Sequence, residues 1–394
     1  MYKLINNIPV WGEPLEDAVR QAEVCARRAE AFALMADHHI GYAMPIGGVA
    51  AYAEYVSPSG VGFDISCGNK AVLLDADATD VRANIKTIMD DVWQAISFGI
   101  GRKNAEPVDH VLFDDDPAWA IPVVKKLKGL AREQLGTVGS GNHYVDLFID
   151  EQERVWCGVH FGSRGFGHHL ADHYIKAGGG KDGMNVEPVL LHIDSALGGE
   201  YIAAMKLAGR YAYAGRDWVC RKVADLLGAR IVDEVHNHHN FAWRETHGGR
   251  ELWVVRKGAT PAFPGQRSFV GGTMAEPAVI LEGIDSDESR MALYSTVHGA
   301  GRVMSRTRAA GKRRWKKGRP VTVTEGEVSR KMMMNWVRQA GVELRGAGVD
   351  ESPHCYKRLE EVLEYHKETV RILHKLTPIG VAMAGENERD PYKD

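Results

Sequence analysis

Stretches of strand length and of helix length follow one another along this chain without a regular βαβ rhythm, and that irregularity constrains its fold most. A doubly wound parallel sheet needs strand and helix in steady alternation. Here two apolar runs, HYVDLFI and RVWCGVH, stand almost side by side and read as neighbouring strands. Lys70–Leu74, ELWVVRKG and PAVILEG read as further strands. Helices are expected over Pro14–Ala36, with Pro14 near the first turn and Asp17 adding negative charge there, and over Val81–Ile96, Ile121–Gln134 and Ala196–Leu227. A last helix is expected over Tyr356–Leu376, stopped at the Thr377–Pro378 step. This mixture predicts an α+β fold. With no Pro/Ser-rich linker and no fixed-period repeat, one compact domain is expected over residues 1–394, its tail 385–394 flexible.

The opening MYKLINNIPVWGEPLEDAV lacks the apolar stretch and small-residue cleavage site of a signal peptide. No run approaches the ~18 apolar residues of a membrane span. Cys25, Cys67, Cys157, Cys220 and Cys355 are odd in number, scattered and never in a CxxC pair. Together these features predict a cytoplasmic protein in a reducing compartment, without a disulfide framework or zinc ribbon. A formal net charge of -3 gives no global attraction to nucleic acid. Locally, however, Arg302–Arg319 (RVMSRTRAAGKRRWKKGR) holds nine Lys/Arg and no acidic residue. That density, with Trp315 available to stack a base, favours a phosphate-binding surface over a solvated loop.

Residues able to bind metal fall in glycine-rich or strand-end segments. Asp64 and Cys67 lie in GVGFDISCG, His143 in GSGNH, His160 in HFGSRG, His238 and His239 in HNHHN, and His298 in HGAGR. Any one of these histidines could be an ordinary hydrogen-bonded residue. Together they form a set of carboxylate, thiol and imidazole donors on loops, the usual setting of metal and catalytic sites. Such mixed donors suit a divalent transition metal rather than magnesium or calcium, zinc first on spacing alone.

The segments MADHHIGYAMPIGG, GVGFDISCG, GSGNH, HFGSRG, HHN, RKGATPAFPG and HGAGR with MSRTRA occur in an order that resembles the RtcB family of RNA ligases, from about residue 35 to residue 383. The resemblance implies one RtcB-like catalytic domain with a central cleft for two metal ions. It also implies an enzyme that uses GTP and two manganese ions to join RNA 2′,3′-cyclic phosphate or 3′-phosphate ends to 5′-hydroxyl ends. One ion would be held by Asp64, Cys67, His160 and His239, and the second would share Cys67 and use His143. His298 would be the nucleophile that becomes guanylylated, with Arg302 clamping phosphate. Asn142, Asp146, the turn Gly271, Gly272, Thr273 and Met274, and the HGAGR residues Gly299, Ala300 and Gly301 would hold the nucleotide. His39 and Arg164 would stand near the metals and RNA phosphate, and an archease-type activator is an implied partner. A metal-dependent phosphodiesterase or RNA end-processing paralogue with little guanylylation is the alternative. Three positions depart from the family pattern. Asp146 stands where Glu is common, Phe161 replaces a small polar residue, and Met383-Ala384 replaces a Lys-Gly that reaches guanine. Weaker guanine recognition is the expected consequence.

Overall fold

The computed structural model describes residues 1–316 and 319–386. Two sheets dominate it. The first has six strands in the order Tyr2–Ile5, Ile8–Trp11, Ala31–His39, Ile46–Tyr52, Arg250–Lys257 and Asn240–His247. Ile8–Trp11 and Ala31–His39 pair in parallel, and the helix Glu16–Ala26 makes the crossover that a parallel pair requires. The second sheet runs Ile231–His238, Gly68–Asp77, Arg154–His160, Tyr144–Asp150, Val370–Gly385, Ala278–Gly283 and Arg267–Val270, with Glu343–Ala347 pairing in parallel to Val370–Gly385. Mixed sheets with helices packed against them make the fold α+β, as expected.

The inner strands of both sheets are buried on both faces. In the first, Phe32 and Leu34 enter one apolar cluster while Ala33 and Met35 enter another. In the second, Val145 and Leu147 face one cluster while Tyr144 and Phe148 face the other. The helix Ala196–Leu226, capped by the Ser195 hydroxyl on the Gly198 N–H, spans two of these clusters. Tyr201, Met205 and Ala208 lie in one; Val219 and Val223 lie in the other.

Two expected helices are corrected. Pro14–Ala36 is helical only over Glu16–Ala26, and AFALMADHH is a strand. A strand buried on both faces reads as an unbroken apolar run, which periodicity cannot separate from a buried helix. Tyr356–Leu376 holds a helix only over Leu359–Glu364, and Val370–Gly385 is a long strand paired on both sides. Pro378, expected to stop a helix, falls where the register shifts between Pro378 and Gly380, a place where a strand tolerates a missing N–H. The helices expected over 81–96, 121–134 and 196–227 form within a few residues of those limits.

In the basic stretch, the helix Arg306–Ala310 leads into a hairpin of Lys312–Lys316 with Arg319–Thr324. Lys317 and Gly318 lie outside the described residues. Of the expected flexible tail, Gly385 ends its strand and Glu386 pairs with Arg330; residues 387–394 lie outside the description. Among the described residues no helix is long and apolar enough to cross a membrane.

Candidate active site

A cavity of about 710 Å³ gathers residues from both sheets. His39 ends a strand of the first sheet; His143 precedes and His160 ends neighbouring strands of the second. His239 is the one residue between Ile231–His238 in the second sheet and Asn240–His247 in the first, so the chain changes sheets there.

Five donor atoms converge in this cavity. Cys67 Sγ lies 3.2 Å from His160 Nε2 and 3.6 Å from His143 Nε2. His143 Nε2 is 3.1 Å from Asp64 Oδ2, and His160 Nε2 is 3.4 Å from His239 Nε2. Ligands held about 2.0–2.3 Å from a common ion at tetrahedral angles stand roughly 3.5 Å apart, so these separations match the first shell of a metal site. Ring orientation agrees. His143 Nδ1 donates to the Val138 carbonyl and His160 Nδ1 to the Asn142 carbonyl, each at 3.0 Å. Both Nε2 lone pairs therefore face inward, the usual outer support of metal-binding imidazoles.

The electrostatics fit the same reading. Burial pushes His160 and His239 well below the ordinary imidazole range and so favours neutral rings. Burial alone would raise the Asp64 carboxyl, but the hydrogen bond and charge of His143, helped by Arg164, outweigh it and hold Asp64 at about 2. The Cys67 thiol is pushed well up, by burial first and then by the Asp64 charge. A cation among these donors would favour the thiolate, since metal binding releases ligand protons. A glycine at 162 is required here, because a Cβ would collide with the Asp64 carboxylate.

His298 stands on the other side of His239, their ring centroids 4.9 Å apart. Its Nδ1 donates to Asp37 Oδ2 at 2.6 Å, and its backbone N–H donates to the same oxygen at 2.9 Å. Asp37 is fully buried; burial pushes its carboxyl up, yet the His298 charge and hydrogen bonds outweigh this and keep it low. The next turn needs Gly301 at φ +78°, where a Cβ would strike the Asp37 carbonyl. The motifs assign Asp37 no role, although a carboxylate inside the apolar run AFALMAD is itself a signal, since a buried charge demands a partner.

The remaining expected residues are also accounted for. Asn142, Asp146, Gly271, Gly272, Thr273, Met274, Gly299, Ala300, Gly301 and Arg302 all line the cavity, as does His39. Thr273 Oγ1 donates to Glu276. Burial pushes the Asp146 carboxyl well up. Arg302 is already engaged: it donates to the Tyr356 hydroxyl at 2.7 Å and the Asp350 carbonyl at 2.8 Å, and stacks over the Tyr356 ring. Any phosphate would share it. Arg306, one turn on, pairs with Asp350 and Glu351. Arg164 Nη1 sits 3.3 Å from His143 Nδ1, on a backbone held at φ 57°, a strained conformation typical of functional sites.

The family model described as tRNA-splicing ligase RtcB matches residues 19–384. The chain belongs to the RtcB family. It is 31% identical to the tRNA-splicing ligase RtcB of Archaeoglobus fulgidus, over 93% of this chain and 91% of that one. It is 29% identical to the tRNA-splicing ligase RtcB of Thermococcus kodakarensis, over 89% of this chain and 86% of the relative. To the RNA-splicing ligase RtcB of Escherichia coli (strain K12) it is 27% identical, over 96% and 98%.

One further residue of this RtcB-family site lies outside the motifs. Arg216, fully buried at the junction of the two clusters spanned by Ala196–Leu226, ties three donor-bearing segments together. Its Nη1 donates to the carbonyls of Ser66 and Phe161, its Nη2 to His238 Nδ1 and its Nε to His236 Nε2. Ser66, Phe161 and His238 are the immediate neighbours of Cys67, His160 and His239. Nothing in local sequence distinguishes this arginine from the exposed ones of the same helix.

Proposed function

We propose that this chain is a GTP- and manganese-dependent RNA ligase that joins 2′,3′-cyclic phosphate or 3′-phosphate ends to 5′-hydroxyl ends, through a guanylyl group carried on His298. The observation that carries the reading is the buried Asp37 carboxylate on Nδ1 of His298, a histidine that lines one cavity of ligand-binding size together with the five-donor cluster.

Asp37 keeps the proton on Nδ1, so the Nε2 lone pair is free to attack the α-phosphorus of GTP. The N–P bond forms as pyrophosphate leaves, and the carboxylate balances the positive charge that develops on the ring. An oxygen of the RNA 3′-phosphate next takes the guanylyl group, breaking the N–P bond and restoring the neutral histidine. The 5′-hydroxyl of the other strand then attacks the activated 3′-phosphate, losing its proton as GMP departs. A cyclic end is first opened by water to the 3′-phosphate. The resemblance alone groups Asp64 with His160 and His239; the 3.1 Å separation of Asp64 Oδ2 from His143 Nε2 instead favours Asp64, Cys67 and His143 for one manganese and Cys67, His160 and His239 for the other, with Cys67 common to both. Bound manganese supplies polarisation of phosphate oxygens and neutralises charge on the leaving group. Asn142, Asp146, the turn Gly271–Met274 and Gly299–Arg302 would hold the nucleotide.

The test is incubation with manganese and GTP labelled in the α-phosphate. Acid-labile label is expected on wild type and none on His298→Ala, whose metal content stays nearly unchanged. Label on the variant would refute the nucleophile role. A wild type that takes no label but opens cyclic phosphates is instead a phosphodiesterase.

A further inference from the structure

The strand Ala31–His39 shifts register against Ile46–Tyr52 between Leu34 and His39, so Met35, Ala36, Asp37 and His38 stand against Gly47 alone. Gly47 makes the room, since a Cβ there would lie 2.9 Å from His38 Cα. A bulge of this kind re-aims a side chain, here Asp37 onto His298, and leaves backbone groups without ladder partners. Residues 357 and 366 supply partners. His366 Nε2 accepts from the Ala36 N–H at 3.2 Å, and Lys357 Nζ donates to the Ala36 carbonyl at 2.8 Å and the His38 carbonyl at 3.4 Å. The ammonium thus grips the chain on either side of Asp37. The Lys357 backbone N–H donates to the Gly301 carbonyl at 2.9 Å, in the turn that follows His298. One residue therefore holds both halves of the Asp37–His298 pair.

The charge of Lys357 has its own use. Whenever His298 is neutral, the fully buried Asp37 carboxylate needs another counter-ion, because an unpaired buried anion is costly. Its Oδ2 takes the histidine, while Oδ1 has no hydrogen-bond partner among the described residues. Burial pushes this carboxyl up, the His298 charge and hydrogen bonds draw it down, and the Lys357 charge adds to the pull. In return, burial lowers the Lys357 ammonium and the Asp37 charge works against that fall.

Resting on the guanylylation reading above, we propose that Lys357 is a positioning residue of the nucleophile: it locks the Asp37 bulge to the His298 turn and supplies the standing counter-charge of the carboxylate. Without it the bulge relaxes, Nδ1 is held less firmly, and the Nε2 lone pair loses its aim at the α-phosphorus. The loss falls on the rate of labelling rather than on GTP affinity, because Lys357 acts through Asp37 and not on the nucleotide.

The experiment follows single-turnover labelling of the manganese-loaded full chain by GTP labelled in the α-phosphate, with a thermal melt and metal analysis of each variant. Lys357→Met is expected to lower the limiting rate about tenfold, part of what a misplacement of about 1 Å can cost. Half-saturating GTP should stay within about twofold of wild type. Lys357→Arg, which keeps the charge and the donors, should recover most of the rate. In an Asp37→Asn background, Lys357→Met should slow labelling by less than about twofold more, because the two residues act as a unit. Equal losses in both backgrounds would overturn the proposal, as would an unchanged limiting rate or a loss confined to GTP affinity. If Lys357→Met does not melt cooperatively, Lys357→Gln is held to the same expectations. Carbethoxylation by diethyl pyrocarbonate, without GTP, is read on the tryptic peptide 291–302, whose single histidine is His298. It too should slow about tenfold in Lys357→Met, since the same imidazole is the nucleophile. Wild type that takes no label while this slowing is seen would refute guanylylation and keep the positioning role; equal carbethoxylation rates would overturn the role itself.

Discussion

Asp37 and His298 come from segments more than 250 residues apart, yet one carboxylate oxygen receives both the imidazole and the backbone of the histidine. Asp37→Asn keeps the shape and removes the charge that balances the ring during attack. Guanylylation is expected to slow roughly 100-fold, within the range for losing a positioned acid–base partner, while metal content holds. Rapid-quench labelling with GTP measures it, and an unchanged rate would mean that the histidine needs no carboxylate. Cys67 is tested differently. Cys67→Ser replaces a soft thiolate by a weakly acidic hydroxyl at the position common to both donor groups, and most bound metal should be lost. Elemental analysis of the purified variant checks this; full occupancy would remove Cys67 from the site.

At the scale of elements, Arg216 makes the helix Ala196–Leu226 a support for the site. Arg216→Met leaves two carbonyls and two imidazoles short of their donor, and is expected to cost about 3 kcal/mol in urea unfolding and to weaken metal binding as well. A loss of stability with unchanged metal affinity would reduce the arginine to packing. The long helices and the strands around the motifs were legible in sequence because their periodicity or length was unambiguous. Two strands were not. Ala31–His39 is apolar on both faces and so has no period of two, and Val370–Gly385 carries a proline that elsewhere ends elements. The clustered histidines were legible from their glycine-rich settings. Asp37 and Arg216 escaped because their roles come from distant partners, His298 and the three donor segments, which only the assembled sheets bring together.

For the whole molecule, charge is distributed rather than excessive. The net -3 leaves the basic stretch as the local concentration of positive charge closest in sequence to His298. Replacing Lys312, Arg313, Arg314, Lys316 and Lys317 by neutral residues is expected to weaken RNA binding and flatten its dependence on salt, since fewer counterions are released. Labelling of His298 by GTP should persist. An unchanged salt slope would return the hairpin to an ordinary solvated element.

The position of Val370–Gly385 also bears on how the protein is made. This late strand lies in the middle of the second sheet, between Tyr144–Asp150 and Ala278–Gly283. During synthesis the sheet therefore waits as two halves, each presenting a raw edge, until the ribosome has delivered almost all of the described chain. Unpaired edges recruit other strands, so a nascent chain stopped after Glu368 should aggregate, or be held by chaperones, where a complete one folds. Because Met383, which lines the cavity, also belongs to this strand, that wall of the cavity is set by the same late event that joins the halves. A chain that has not finished its sheet has no finished site with which to act on RNA.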